Sequence, residues 1–397
     1  MDASRNLLIL MSARSLRAFA DGYVAVLLPA YLLALGYGTF EVGLLATVTM
    51  LGSAAATLAV GRWGHRFELR RLLITAAALM VLTGVAFAAF SSLWPLLVVA
   101  LVAPLNPGGG DVTVFYPLEH TAVAAAAPAQ SRTSAFARYS FVGSLFGAIG
   151  ALVSGAPEWL AARAGLAPLE AMKAMFALYG AFGVAVGALY SRFGTMRTAA
   201  AETPRALGPS RGVVWKLAAL FSVDSFAGGF AINALLALWL FQRFELSLTA
   251  AGAFFFWAGL LTAVSQLAAA PLAQRIGLIN TMVFTHLPAN LCLVAAAFAS
   301  TLPIALALLF VRSALSQMDV PARSAYVMSV VTPAERPAAA SFTAVPRSLA
   351  SAAGPTIAGA WFAAGAMAAP LVACGVLKIA YDLALFAAFR RVHPRTG

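Results

Sequence analysis

Phe19-Ala20-Asp21-Gly22-Tyr23 recurs as Phe226-Ala227-Gly228-Gly229-Phe230, an offset of 207. Outward from this pair, the spacing holds. Gly61-Arg62-Trp63-Gly64-His65-Arg66 is answered by Ala270-Pro271-Leu272-Ala273-Gln274-Arg275 at an offset of 209. Asp111 is answered by Asp319 at 208, and Arg138 by Arg347 at 209. A near-constant offset of about half the 397-residue chain marks the duplication of one structural unit. In an apolar chain, two similar halves point to a binding site between them.

The composition places the duplicated unit in a membrane. The chain is 62% hydrophobic and 10% charged, with a mean hydropathy of +0.88, whereas soluble domains carry roughly 25% charged residues. Runs such as Leu72–Phe90 are helix-length, unlike the alternating strands of an outer-membrane barrel. The net charge of +12 does not indicate a nucleic-acid partner, because most basic residues sit in short loops between apolar segments. Ala18-Phe19-Ala20 imitates a cleavage site. The apolar run before it, Leu7–Met11, is too short for a signal peptide and is followed by Arg14 and Arg17, so an uncleaved first helix is expected. Cys292 and Cys374 stand apart in apolar segments and imply neither a disulfide framework nor a metal site.

The expected fold is an all-α membrane protein of about twelve transmembrane helices in two pseudo-symmetric six-helix bundles. Residues 1–191 form the first bundle, 192–213 a polar linker and 214–397 the second bundle. The linker holds Arg192, Arg197, Glu202, Arg205 and Arg211 with Pro204 and Pro209. Sixteen basic residues fall in one set of loops and ends and two, Arg163 and Arg243, in the other. The positive-inside bias therefore puts both termini and the linker in the cytoplasm, of an inner-membrane protein.

The segment Gly61-Arg62-Trp63-Gly64-His65-Arg66-Phe67-Glu68-Leu69-Arg70-Arg71 resembles the loop between helices 2 and 3 of the major facilitator superfamily, G-x-L-A-D-R-x-G-R-K. The resemblance extends over the whole chain through the twelve helices, the six-plus-six duplication and the basic central loop. His65 stands where the family has its Asp, and Glu68 where it has its second Gly. The second copy has Gln274 at the acidic position, followed by Arg275 and Gly277. The resemblance implies a gating role for this loop, with Glu68 the candidate replacement acid. Gly143, Gly147 and Gly150 on helix 5, and Gly354-Pro355 and Gly359 on helix 11, resemble the glycine-proline motif of family exporters. Small residues there allow close helix approach in lipid.

Ionisable groups at membrane depth are costly and mark function or pairing. Arg14, Arg17 and Asp21 share one face of helix 1, which in the family lines the cavity. Asp21 is the candidate proton or substrate group. Asp224 matches Arg17 in the repeat, so an Arg17–Asp224 pair between the halves is expected. Family members similar to sugar porters carry acids and arginines at the cytoplasmic ends of helices 4, 5, 10 and 11. The resemblance therefore implies a gate network of Asp111, Glu119, Arg138, Arg323 and Arg347, with Arg14 beside it and Asp319 its repeat partner. Arg312, near mid-membrane, has only Pro104 at its repeat position and is the candidate substrate cation, with Asp319 its resting partner. Lys378 and Asp382, four apart on helix 12, are expected to neutralise each other, and Lys173 to snorkel. Pro104, Pro107 and Gly108–Gly110 interrupt helix 4, and this glycine run lacks the Lys-Ser/Thr of a phosphate loop.

The resemblance and these charges imply a secondary transporter of a small polar, anionic or amphiphilic solute. It would work as a monomer in the lipid bilayer by alternating access, with the proton as coupling ion, export as direction and no cofactor. An uptake symporter for an organic anion is the alternative. A membrane enzyme is disfavoured, because His65, His120, His286 and His393 form no ligand pair and lie at or near helix ends. A non-transporting receptor or scaffold would have no reason to keep paired charges in its spans.

Overall fold

The computed structural model describes residues 2–102, 105–108, 113–127, 132–194, 207–332 and 335–390. The described residues are helical, with one 3-10 turn at Gly64–Arg66. In order, the helices are α1 (Asp2–Ala34), α2 (Thr39–Trp63), α3 (Leu69–Ala89), α4 (Leu93–Val102), α5 (Phe115–Ala126), α6 (Arg132–Val153), α7 (Ala156–Ala164) and α8 (Pro168–Ser191). There follow α9 (Arg211–Gly229), α10 (Asn233–Phe244), α11 (Leu248–Ile276), α12 (Leu278–Ala297), α13 (Leu302–Leu315), α14 (Asp319–Val330), α15 (Arg336–Ala363) and α16 (Ala369–Phe389). Ten helical segments among the described residues are long and apolar enough to cross a membrane. With the broken fourth span and α15, they account for the twelve helices expected.

Two compact units divide the chain. The first comprises Met1–Ala201 with Asn233–Phe256, and the second Glu202–Ile232 with Trp257–Gly397. Segment 233–256, with α10 and the start of α11, groups with the first unit. Most of the expected linker lies outside the described residues, and α9 opens at Arg211 rather than at 214.

Several expected spans are interrupted, each for a local reason. The span 94–120 is not one helix but α4 and α5, and the carbonyl of Pro107 between them accepts the amide of Ala234. The span 302–326 breaks after Leu315, because Pro321 in the first turn of α14 opposes a helical carbonyl four residues earlier. The span 214–240 breaks after Gly228-Gly229, where two poor helix formers end α9. Conversely, α11 continues to Ile276, so Gln274 and Arg275 belong to its last turn rather than to a loop.

Within the first unit α1 packs on α6 and α3 on α8; within the second α9 packs on α15 and α12 on α16. A Cβ at Gly22 of α1 would collide with the carbonyl oxygen of Gly147 on α6, and a Cβ at Gly354 of α15 would lie 2.5 Å from the carbonyl carbon of Gly229 on α9. The pairs Gly22–Gly147 and Gly229–Gly354 are the same contact, each residue displaced by 207. Backbone approach of this kind substitutes for the hydrophobic driving force that helices lack in lipid. Gly143 serves differently, since a Cβ there would occupy the place of the Arg14 guanidinium.

Candidate functional site

Each unit encloses its own charge network. In the first unit, the three- and four-residue spacing on α1 places Arg14, Arg17 and Asp21 on a buried face, with Arg17 only 1% exposed. Arg17 Nη2 donates to Glu119 Oε2 from α5, and Arg17 Nη1 lies 3.6 Å from Asp21 Oδ2. Nη1 also reaches Thr113 Oγ1 at 3.4 Å. The hydroxyls of Tyr139 on α6 and Tyr190 on α8 both donate to Glu119, and that of Tyr179 donates to Asp21 at 3.4 Å. The Arg17 guanidinium lies 4.5 Å from the Phe115 ring centroid, and the Arg14 guanidinium 4.9 Å from that of Tyr139. A buried charge is tolerable only when paired and hydrogen-bonded. Glu119 meets that condition, with one arginine and two tyrosines around a fully buried carboxylate.

In the second unit, Asp224 on α9 is the hub. Lys378 Nζ of α16 donates to its Oδ1 at 2.6 Å, and Arg323 Nη1 of α14 to its Oδ2 at 3.2 Å. Arg323 Nη2 donates to Asp319, one turn earlier on α14. His286 of α12 has Nδ1 2.9 Å from Asp382 Oδ1 and Nε2 3.9 Å from Asp224 Oδ1. Asn290 Nδ2, one turn along α12, donates to Asp382 Oδ2 at 3.1 Å. Arg347 Nε of α15 donates to Ser225 Oγ of α9 at 3.1 Å. Arg323 and Arg347 share the Phe221 ring, at 5.4 and 5.9 Å from its centroid.

These partners correct several expectations. Arg17 and Asp224, expected to pair between the halves, are each neutralised inside their own unit, Arg17 by Glu119 and Asp21 and Asp224 by Lys378 and Arg323. Lys378 reaches Asp224 rather than Asp382, because the α9 carboxylate lies within its reach and Asp382 turns to His286 and Asn290. Asp319 pairs with Arg323, not with Arg347 or Arg312. Arg347 has a hydroxyl for its partner, and neither Nη group meets an acceptor among the described residues. Arg312 makes no ion pair with a described residue, and its buried Nε is without a hydrogen-bond partner. Arg138 is exposed, and Asp111 lies outside the described residues. His286 sits in mid-helix, not near an end, and is 4% exposed.

The repeated loop is mostly solvent-facing. Gly61, His65 and Arg66 are exposed, as are Gln274, Arg275 and Gly277. Glu68 pairs locally with Arg71 at 3.3 Å, while the buried Nε of Arg70 has no partner among the described residues. Gly277 adopts φ of 86° between α11 and α12, a conformation suited to glycine. At the foot of the second unit, Glu335 accepts the amides of Gly208 and Ser210 at 2.6 and 3.4 Å and the Thr332 hydroxyl at 2.7 Å. The Thr332 and Ser210 bonds, with the Gly208 amide, hold its carboxyl down at about 2.

Tyr139, Tyr179, Tyr190, Ser225, His286 and Asn290 were not singled out from the sequence. The tyrosines carry no signal among the other aromatic residues of an apolar chain. His286 and Asn290 do carry one: they are four apart in the middle of a membrane-length helix, matching the four-residue spacing of Lys378 and Asp382.

Known proteins resemble this chain over most of its length. A family model described as Major Facilitator Superfamily matches residues 10–311. An uncharacterized membrane protein of Saccharomyces cerevisiae is 24% identical over 367 residues, covering 83% of this chain and 82% of that protein. A bacterial homologue of the human lysosomal transporter Spinster, in an inward-facing and occupied conformation, superposes with a TM-score of 0.74 at 16% identity, over 98% of this chain and 97% of that one. The nucleoside transporter NupG gives 0.73 at 13% identity over 97% and 99%. The human organic anion transporter MFSD10 gives 0.65 at 17% identity over 97% and 100%.

Proposed function

Since the chain belongs to the major facilitator superfamily, a family of multi-pass membrane transporters, we propose that it is a secondary active transporter of a small anionic solute. It works by alternating access, is driven by the proton gradient and exports its solute. In this reading it is a monomer of the inner membrane with both termini in the cytoplasm, and its two functional halves are residues 1–191 and 214–397, joined by the 192–213 linker. The basic-loop asymmetry supports the orientation, and the glycines of α6 with the glycine-proline pattern of α15 support export.

The observation that carries the solute class is Arg347. Its neighbour Arg323 is occupied by two aspartates, whereas Arg347 is anchored through Nε to Ser225, stacked near Phe221 and left with two Nη groups unpaired among the described residues. A guanidinium so held presents a preorganised fork that suits a carboxylate or phosphate oxygen pair. Arg312, without an acid partner among the described residues, adds a second cation. MFSD10, which shares the fold, is an organic anion transporter. Asp21 is the proposed proton carrier: a buried carboxylate whose one arginine partner, Arg17, is shared with Glu119. The Arg14 and Arg138 positions, with Asp111, Glu119 and Arg323, remain the proposed gate.

Uptake of radiolabelled organic anions, nucleosides and organic cations into proteoliposomes tests this reading. Saturable movement of an organic anion is expected. Arg347→Gln should weaken it about tenfold or more, equivalent to about 1.4 kcal/mol, with Arg347→Lys intermediate. Transport of a neutral nucleoside alone, unaffected by Arg347→Gln, would overturn it.

A further inference from the structure

The acids and cations of the second unit do not match one to one. Asp224 is held by Lys378 and Arg323, and Asp319 by Arg323. Asp382, 0% exposed, has neither a lysine nor an arginine among the described residues. Its partners are the neutral amide of Asn290 and the imidazole of His286. A carboxylate buried without a cation bonded to it is costly. With Lys378 held on Asp224, an added proton removes that cost. It converts either Asp382 to the acid or His286 to the imidazolium, and both forms are neutral as a pair.

We infer that Asp382 and His286 together bind one exchangeable proton inside the second unit, a site separate from Asp21 in the first. The site deepens the transport reading, on which its role in coupling rests; its occupancy does not depend on that reading. Against His286 itself lie Asp224 of α9 at 3.9 Å, Asp382 of α16 at 2.9 Å, the Tyr381 ring of α16 and Asn290 on its own helix. The helices packed on α12 also carry Arg312 on α13, Asp319 and Arg323 on α14, and Cys374 and Lys378 on α16. The imidazole bonds Asp382 through Nδ1 at 2.9 Å and has Asp224 3.9 Å from Nε2, so an imidazolium there would lie between two carboxylates.

A release route is present in the same helix. Lys378 is one turn from Asp382 and now bonds Asp224. Moving its ammonium to Asp382 would supply the positive charge that the proton supplies at rest. Lys378 would exchange its bond to Asp224 for one to Asp382, and the proton, passed from Asp382 to the imidazole where it is not there already, would leave to water. Asp224 would keep Arg323 as its partner.

The test uses the full-length chain in lipid nanodiscs at about pH 7, where an unperturbed histidine is mostly neutral, and needs no transported solute. Infrared spectroscopy reads the protonated-carboxyl stretch, and nitrogen-15 spectroscopy of ring-labelled histidine reads imidazolium. One of two signals is expected: a protonated-carboxyl band that Asp382→Asn abolishes, or an imidazolium resonance that His286→Gln abolishes. Asp382→Glu, which keeps the acid, should restore the signal lost in Asp382→Asn. A wild-type protein with a neutral His286 and an ionised Asp382 overturns the inference, even if the chain transports anions. The variants serve only to assign signals, so the wild-type measurement stands if one of them fails to fold.

Discussion

Arg17 joins two carboxylates from within α1, and its loss would strand at least one of them. Replacing it by Gln leaves Glu119 buried with tyrosine donors alone. The expected cost is about 3–5 kcal/mol, read as a lowered midpoint of thermal unfolding in detergent; an unchanged midpoint would mean that the tyrosines suffice. Asp21 is a different case, since its side chain is shared between Arg17 and Tyr179 and anchors nothing else among the described residues. Asp21→Asn keeps the shape and removes the titrating group. It should abolish accumulation driven by a pH gradient while sparing exchange of labelled for unlabelled solute. Accumulation that persists in this variant would move the proton carrier elsewhere, with His286–Asp382 the next candidate. The candidate charges themselves were legible in the sequence, because a charge inside an apolar run is conspicuous. Their partners were less so. Lys378 has an acid one turn away on its own helix, yet its flexible stem reaches a different helix, and only the packing of α9 against α16 decides between them.

At the scale of the helix, two features are testable. Gly354 on α15 faces Gly229 on α9 backbone to backbone, with no flexible side chain to give way. Gly354→Ala should force the helices apart at a cost of about 1–3 kcal/mol, and scanning calorimetry of the purified variant measures it. Glu335 fastens the segment before α9 to the start of α15. Because its carboxyl is depressed to about 2 by the Thr332, Ser210 and Gly208 bonds, its contribution is fully present above the ordinary glutamate value of about 4.3. It fades as pH falls through about 2. Amide exchange at Gly208 and Ser210 should therefore be faster in Glu335→Gln than in wild type at neutral pH. The two proteins should converge in strong acid; equal exchange at neutral pH would show the bonds to be unimportant. The existence of the helices was readable from apolar run length, but not their interruptions. The break before α14 follows from Pro321, which shapes the residues preceding it, and the extension of α11 through Pro271 to Ile276 ran against the proline.

For the whole molecule, the repeat was the strongest signal in the sequence, and it reappears as contact: Gly22 with Gly147, Gly229 with Gly354. The two units differ in electrical sign. In the first, an arginine on α1 holds an acid on α5; in the second, an aspartate on α9 holds an arginine on α14. Residue offsets revealed only half of this: Arg17 matches Asp224 at 207, whereas Glu119 and Arg323 are shifted by about one turn between copies. The swapped pair Arg17→Glu with Glu119→Arg should accordingly recover folding that either single change loses, as read by the yield of monodisperse protein. Recovery no better than that of the single changes would tie the polarity to the tyrosines of the first unit.

That inverted polarity bears on ancestry. If both copies descend from one gene, then at least one of them has exchanged its donor for its acceptor since the duplication. A lineage that changed one partner at a time would have passed through a protein with a stranded ion in its interior. An easier path runs through an uncharged intermediate, and Tyr326 and Tyr116 stand within a turn of where the ancestral partners belong. Present-day descendants that keep a hydroxyl pair in place of the ions would be the surviving record of that passage.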